Sequence, residues 1–186
     1  MKRVIIVHGY TGYPDKNWFP WLKSELEKLG VKVYVPAMPN TDAPQLIEWL
    51  PYLQQEVGLP TTETYLVGHS LGCPTILRYL ESLTENEQVG GALLVAGFAE
   101  PLPNLPELNS FTENYWSDEK VKAHTKQLAI INSDDDPAVP LINGEHVRDR
   151  FDAELILVQN AGHINEKSGY FQVPFVLDKL KRMMSI

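Results

Sequence analysis

The stretch that most constrains the fold is Gly68-His69-Ser70-Leu71-Gly72 together with what flanks it. Thr64-Tyr65-Leu66-Val67 before it is β-branched and apolar, as a buried strand would be. After it, Ile76, Leu77, Leu80 and Leu83 recur at helical spacing, and Pro74 is tolerated in a helix's first turn. A G-x-S-x-G run between a strand and a helix presents its serine on a sharp, strained turn. Gly68 and Gly72 are then needed where strand and helix pass too closely for side chains. In that setting Ser70 is a candidate nucleophile; the plainer alternative is a serine that only caps the helix.

The rest of the chain repeats the pattern. Apolar runs of strand length at residues 2–7, 31–36, 64–67, 91–96, 127–132 and 154–158 alternate with helical patterns. Those patterns cover residues 18–29, 43–57 with a break expected near Pro51, 71–83, 117–124, 144–151 and 171–184. The strand runs are continuous rather than alternating, so they predict strands covered on both faces of a mostly parallel sheet. Asp42 and Ser117 suit helix N-caps, and Gly30 suits the end of the first helix. Active sites of such sheets lie beyond the carboxyl ends of the strands. His8, Ser70, Asp134–Asp136 and His163 all follow predicted strands. The length of 186 residues fits one domain over residues 1–186. Gly97 to Trp116, with three prolines, is the least regular stretch: either a functional loop or a surface connection, and too short for a lid domain.

Composition narrows the function. Net charge is −8 with no Lys/Arg cluster, which disfavours nucleic acid and anionic membranes as partners. The lone cysteine, Cys73, permits no internal disulfide. The apolar run after Lys2-Arg3 is too short for a signal-peptide core and reads as a first strand; no other run is long enough to cross a bilayer. A cytoplasmic location is the default expectation. No zinc-ligand spacing, H-E-x-x-H or phosphate-binding glycine loop occurs, so no cofactor is expected.

A serine nucleophile needs a base, and the base needs a partner that fixes its tautomer. His163, in Asn160-Ala161-Gly162-His163 after the last strand, is the candidate base. His69 neighbours the serine in sequence and should point elsewhere, His124 and His146 should be exposed, and His8 should hold its loop. The acid is sought in Asn132-Ser133-Asp134-Asp135-Asp136, where mutual repulsion keeps three carboxylates from sharing one site. The run could also be a solvated turn or a weak cation site. Candidate oxyanion donors are the backbone N–H of Leu71, after the serine, and of Tyr10, in the glycine turn after the first strand. Cys73, three residues on, is a minor candidate nucleophile. Trp18, Trp21, Trp116 and Phe111 could wall a pocket, although large aromatics usually serve packing.

In order, H-G after the first strand, G-H-S-L-G, D-x-x-V-P and G-H resemble the α/β-hydrolase superfamily. Longer features resemble the small family of retinoblastoma-binding protein 9 and its YdeN-like relatives: His8-Gly9-Tyr10, Trp18-Phe19-Pro20-Trp21-Leu22, Met38-Pro39-Asn40, Tyr65 through Pro74 and Gly97-Phe98-Ala99. That resemblance implies a compact α/β-hydrolase fold with a six-stranded sheet, helices on both faces and no lid. It also favours Asp136, which opens Asp136-Pro137-Ala138-Val139-Pro140, over Asp135 as the acid. Leu71-Gly72-Cys73-Pro74-Thr75 ends in threonine, so the retinoblastoma-binding L-x-C-x-E pattern is absent. The expected activity is hydrolysis of small carboxylic esters through an acyl-enzyme. An amide or peptide substrate, or a non-catalytic protein-binding module on the same scaffold, is the alternative.

Overall fold

Strands built from unbroken apolar runs must be covered on both sides, and the sheet is arranged accordingly. In a computed structural model that describes residues 1–113 and 116–186, β1 (Arg3–Val7), β2 (Lys32–Tyr34), β3 (Thr64–His69), β4 (Gly91–Val95), β5 (Leu128–Ser133) and β6 (Glu154–Val158) form one sheet. Its order is β2-β1-β3-β4-β5-β6, and every pairing is parallel. Register places Ile6 opposite Val67 and His69 opposite Val95, so β1, β3 and β4 end together. The helices are α1 (Phe19–Lys28), α2 (Leu46–Val57), α3 (Gly72–Ser82), α4 (Asp118–Ala123), α5 (Ile142–Phe151) and α6 (Pro174–Met184).

Alternate strand residues feed two cores. Ile5, Val7, Leu66, Leu94 and Ile130 pack with Trp49, Leu53 and Leu77 of α2 and α3 on one face. Val4, Ile6, Val67, Val95 and Ile131 pack with Phe19, Leu22, Val176 and Leu180 of α1 and α6 on the other. Each fully buried aliphatic side chain contributes about 1.5–3 kcal/mol relative to exposure. The irregular stretch after Gly97 is a packed connection: Leu102, Leu108 and Phe111 are buried, and a 3-10 turn covers Pro106–Phe111. Residues 114 and 115 of that stretch lie outside the described residues.

Some local expectations are corrected. Helix α2 runs through Pro51 without a break. The ring leaves the Ile47 carbonyl without its helical donor, but the Ile47 side chain is 83% exposed, so this turn faces water. The helix also starts at Leu46 rather than at residue 43, with Gln45 instead of Asp42 at its N-cap. Pro44 disfavours helical backbone at Ala43. Helix α6 likewise waits for Pro174, and α5 starts two residues before Gly144. Ser117 does cap α4, its side chain accepting from the Lys120 N–H, and Gly30 follows α1 with φ +78°. Edge strand β2 stops short of Pro36. His124 is buried, not exposed: its Nδ1 lies 2.8 Å from the Leu80 carbonyl, which pulls the end of α4 against α3.

The approach of α3 to the sheet is the tightest in the fold. A Cβ on Gly72 would lie 2.1 Å from the Val7 carbonyl oxygen, and one on Gly68 would lie 2.8 Å from the Cys73 nitrogen. Backbone cannot yield as a flexible side chain would. Gly72→Ala is therefore expected to destabilise by about 3 kcal/mol or more in urea titrations. Gly30→Ala meets no atom within 4 Å and should cost only the ~1–2 kcal/mol of left-handed backbone. Equal losses in the two variants would show that the helix can back away from β1.

Candidate active site

Where β3 turns into α3, Ser70 adopts φ +54°, a conformation L-residues avoid. Two backbone hydrogen bonds hold it there: its N–H donates to the Val95 carbonyl at 2.9 Å, and its carbonyl accepts from the Cys73 N–H at 2.9 Å. Gly9 lets the first loop close over the serine, since a Cβ at that position would lie 3.0 Å from Ser70 Cβ. Ser70 is 8% exposed, and its hydroxyl makes no hydrogen bond to protein among the described residues. The backbone N–H groups of Tyr10 and Leu71 likewise find no protein acceptor among those residues. Cys73 points the other way. Its Sγ donates to the Val95 carbonyl, and burial pushes the thiol's pKa far up, so it stays protonated.

The three consecutive aspartates diverge, each taking a different part of the loop after β6. Asp134 Oδ1 accepts from the Asn160 N–H at 2.8 Å. Asp135 Oδ1 accepts from the Ser133 hydroxyl at 2.6 Å and the Gly162 N–H at 2.7 Å, which hold its carboxyl below the usual range. The Asp136 side chain is fully buried. Its Oδ1 accepts from the N–H groups of Ala138 and Val139, and its Oδ2 lies 2.8 Å from His163 Nδ1. The structure thus pairs His163 with Asp136, while Asp134 and Asp135 tie down the loop that carries the imidazole. Among the described residues no group of three or more His, Cys, Asp or Glu is placed to hold a metal ion.

Two aromatic side chains that the sequence did not assign to this loop, His69 and Trp18, complete it. His69 does not point away: its Nε2 lies 3.0 Å from the His163 carbonyl, and the two rings are 5.0 Å apart. The next carbonyl, of Ile164, accepts from Trp18 Nε1 at 2.9 Å. Ile164 has φ +47°, strained for a β-branched residue, and these donors hold the backbone on either side of the distortion. The rings of Trp18 and Phe19 meet His69 edge-on. A carbonyl only accepts, so His69 Nε2 carries a proton. Burial first, and the neighbouring His163 second, push the His69 pKa down to about 3. His8, also buried, accepts from the Met38 N–H through Nε2, and its Nδ1 faces the Gly9 carbonyl; it holds the first loop. Burial lowers its pKa as well.

Ser70 and His163 border one cavity of about 90 Å³. Tyr10, His69, Lys16, Asn17, Glu166 and Lys167 are among its other walls. The aromatics proposed from sequence as pocket walls are not: Trp18, Phe111 and Trp116 are core residues, and Trp21 packs against the α1/α6 core. The residues from the loop before α1 and from the loop after His163 carry no motif. What marks them is reciprocal pairing, in which the Asn17 N–H donates to Glu166 Oε2 and the Glu166 N–H to Asn17 Oδ1.

The buried neutral histidines link stability to pH. An unfolded histidine takes up a proton near pH ~6.5, whereas His69 in the folded chain resists until about 3. Their contribution is complete above the unfolded value and is lost as pH falls from there toward 3. Melting temperature should decline between neutral pH and pH ~4.5. His69→Gln, which keeps an N–H donor and does not ionise, should decline less steeply. Parallel curves for both proteins would remove His69 from the account.

Known proteins share the sequence and fold of this chain. A family model described as "Serine hydrolase" matches residues 4–182. The chain is 41% identical over 184 residues to the YdeN protein of Bacillus subtilis (strain 168), covering 99% of this chain and 97% of that one. Serine hydrolase RBBP9 of Rattus norvegicus is 29% identical over 165 residues, covering 87% of this chain and 86% of that one. The crystal structure of the ydeN gene product from B. subtilis superposes with a TM-score of 0.97 at 40% identity over 100% of both chains. Est1E from Butyrivibrio proteoclasticus, solved with ferulic acid, shares the fold at a TM-score of 0.75 and 17% identity, over 99% of this chain and 88% of that one. No helix among the described residues is long and apolar enough to cross a membrane. The chain is a hydrolase of the α/β-hydrolase fold and belongs to the serine hydrolase family.

Proposed function

We propose that Ser70, His163 and Asp136 form a Ser-His-Asp triad and that the chain hydrolyses small carboxylic esters through a covalent acyl-enzyme, without a cofactor. The reading rests above all on the 2.8 Å contact between His163 Nδ1 and Asp136 Oδ2, beside a cavity that Ser70 shares. With Nδ1 occupied by the carboxylate, Nε2 is left free to accept a proton. In the first half-reaction Nε2 takes the Ser70 hydroxyl proton while Oγ bonds to the ester carbonyl carbon. The carbonyl electrons move onto oxygen, which the unpartnered N–H groups of Tyr10 and Leu71 can receive. The C–O bond to the alcohol then breaks, and the imidazolium gives its proton to the leaving oxygen. Water repeats the sequence on the acyl-enzyme, releases the acid and restores the hydroxyl. A cavity of about 90 Å³ supports a short acyl group rather than a long chain.

A fluorophosphonate probe should label the wild type at Ser70 and fail to label Ser70→Ala of equal stability. Absence of labelling in folded wild type would favour a non-catalytic module. Asp136→Asn should lower kcat for 4-nitrophenyl acetate by about 10⁴-fold, because the amide favours the wrong imidazole tautomer. Asp134→Asn keeps an oxygen for the Asn160 N–H and should remain near wild type. The opposite ranking would reassign the acid.

A further inference from the structure

The rim of this cavity carries charge that the proposed ester chemistry does not use. The chain as a whole is acidic, at −8, yet the residues lining the cavity include two lysines, Lys16 and Lys167, against one acid, Glu166. The carboxylate is turned toward backbone, accepting from the Asn17 N–H at 3.4 Å. Of the other lysines, Lys2, Lys23, Lys28, Lys122 and Lys179 each pair with an acid, whereas Lys32, Lys120, Lys126 and Lys181 pair with none among the described residues and lie away from the cavity. Lys16 and Lys167 pair with none among the described residues. Lys16 is half-buried, and its ammonium is held at the site by the Thr11 carbonyl at 3.4 Å and the face of Tyr13 at 5.0 Å. The two lysines come from opposite loops, and the reciprocal Asn17–Glu166 hydrogen bonds join those loops so that both cations border the same small space as Ser70.

We infer that Lys16 and Lys167 form a subsite for a carboxylate on the substrate, so that the preferred esters are small and anionic, with an acyl group ending in a second carboxylate. This inference rests on the esterase reading above. Two like charges without counter-ions among the described residues, Lys16 held at the cavity and the exposed Lys167 at its rim, favour an anion that neutralises them and attract it from a distance in a salt-dependent way. The polar walls and the small volume suit such a substrate better than a fatty acyl chain.

The test compares mono-4-nitrophenyl glutarate with 4-nitrophenyl pentanoate, which have the same acyl length but differ in charge. The wild type should favour the glutarate ester by about tenfold or more in kcat/KM, and the preference should shrink between low and high ionic strength. It should collapse toward unity in Lys16→Met/Lys167→Met and invert in Lys16→Glu/Lys167→Glu. Glutarate dianion should also slow fluorophosphonate labelling of wild-type Ser70, and not that of the double Met variant. If labelling is normal but glutarate neither protects nor gives the better ester, the subsite is overturned while the serine mechanism stands. If the preference survives loss of both lysines, the lysines are not its source. If Ser70 is not labelled at all, the mechanism and the subsite fall together.

Discussion

The carboxylate of Asp136 is the fixed point on which the loops of the site depend. A buried charge is costly unless its acceptor capacity is filled. Here two backbone N–H groups and an imidazole fill it. The backbone donors come from its own turn and fix where the carboxylate points before His163 arrives. The contact of its Oδ2 with Nδ1 then orients the imidazole. Asp134 and Asp135, which sequence alone leaves as an awkward run of like charges, become intelligible as ties to Asn160 and Gly162. The repulsion among the three is relieved because each meets its own donors.

Neutral histidines form a second layer under this arrangement. His8 and His69 are buried, and burial lowers the pKa of both. Each acts as a directional hydrogen-bonding group for a loop at the carboxyl edge of the sheet. His8 serves the turn after β1, and His69 serves the loop after β6. A charged side chain in either place would need a counter-ion that the surrounding apolar rings do not offer.

Much of this was legible in the sequence because the signals are local. Unbroken apolar runs gave the six strands, and the glycines around Ser70 gave the elbow, since close backbone approach leaves few alternatives. The edge that carries Ser70, Asp136 and His163 followed from strand ends alone. Legibility stopped where residues act across the chain. His69 and Trp18 touch a loop about ninety and a hundred and forty residues away, and no spacing rule reports that. His124 follows a short polar helix as its C-cap, so its burial against α3 leaves no mark on the pattern. Pro51 misled for a different reason: α2 continues through it on a turn that faces water, where the freed Ile47 carbonyl is not buried without a donor. Lys16, Asn17, Glu166 and Lys167 are ordinary surface residue types, and only the meeting of two loops gives them a common address.

Of the nine non-glycine residues with positive φ among the described residues, seven lie in loops beyond the carboxyl ends of the strands: Thr11, Asn17, Asn40, Ser70, Ala96, Asn160 and Ile164. The opposite edge is nearly free of such distortion. Conformations of this kind are populated only after their surroundings are in place. The rim that carries Ser70 is thus where the fold concentrates backbone conformations that only neighbouring contacts can maintain.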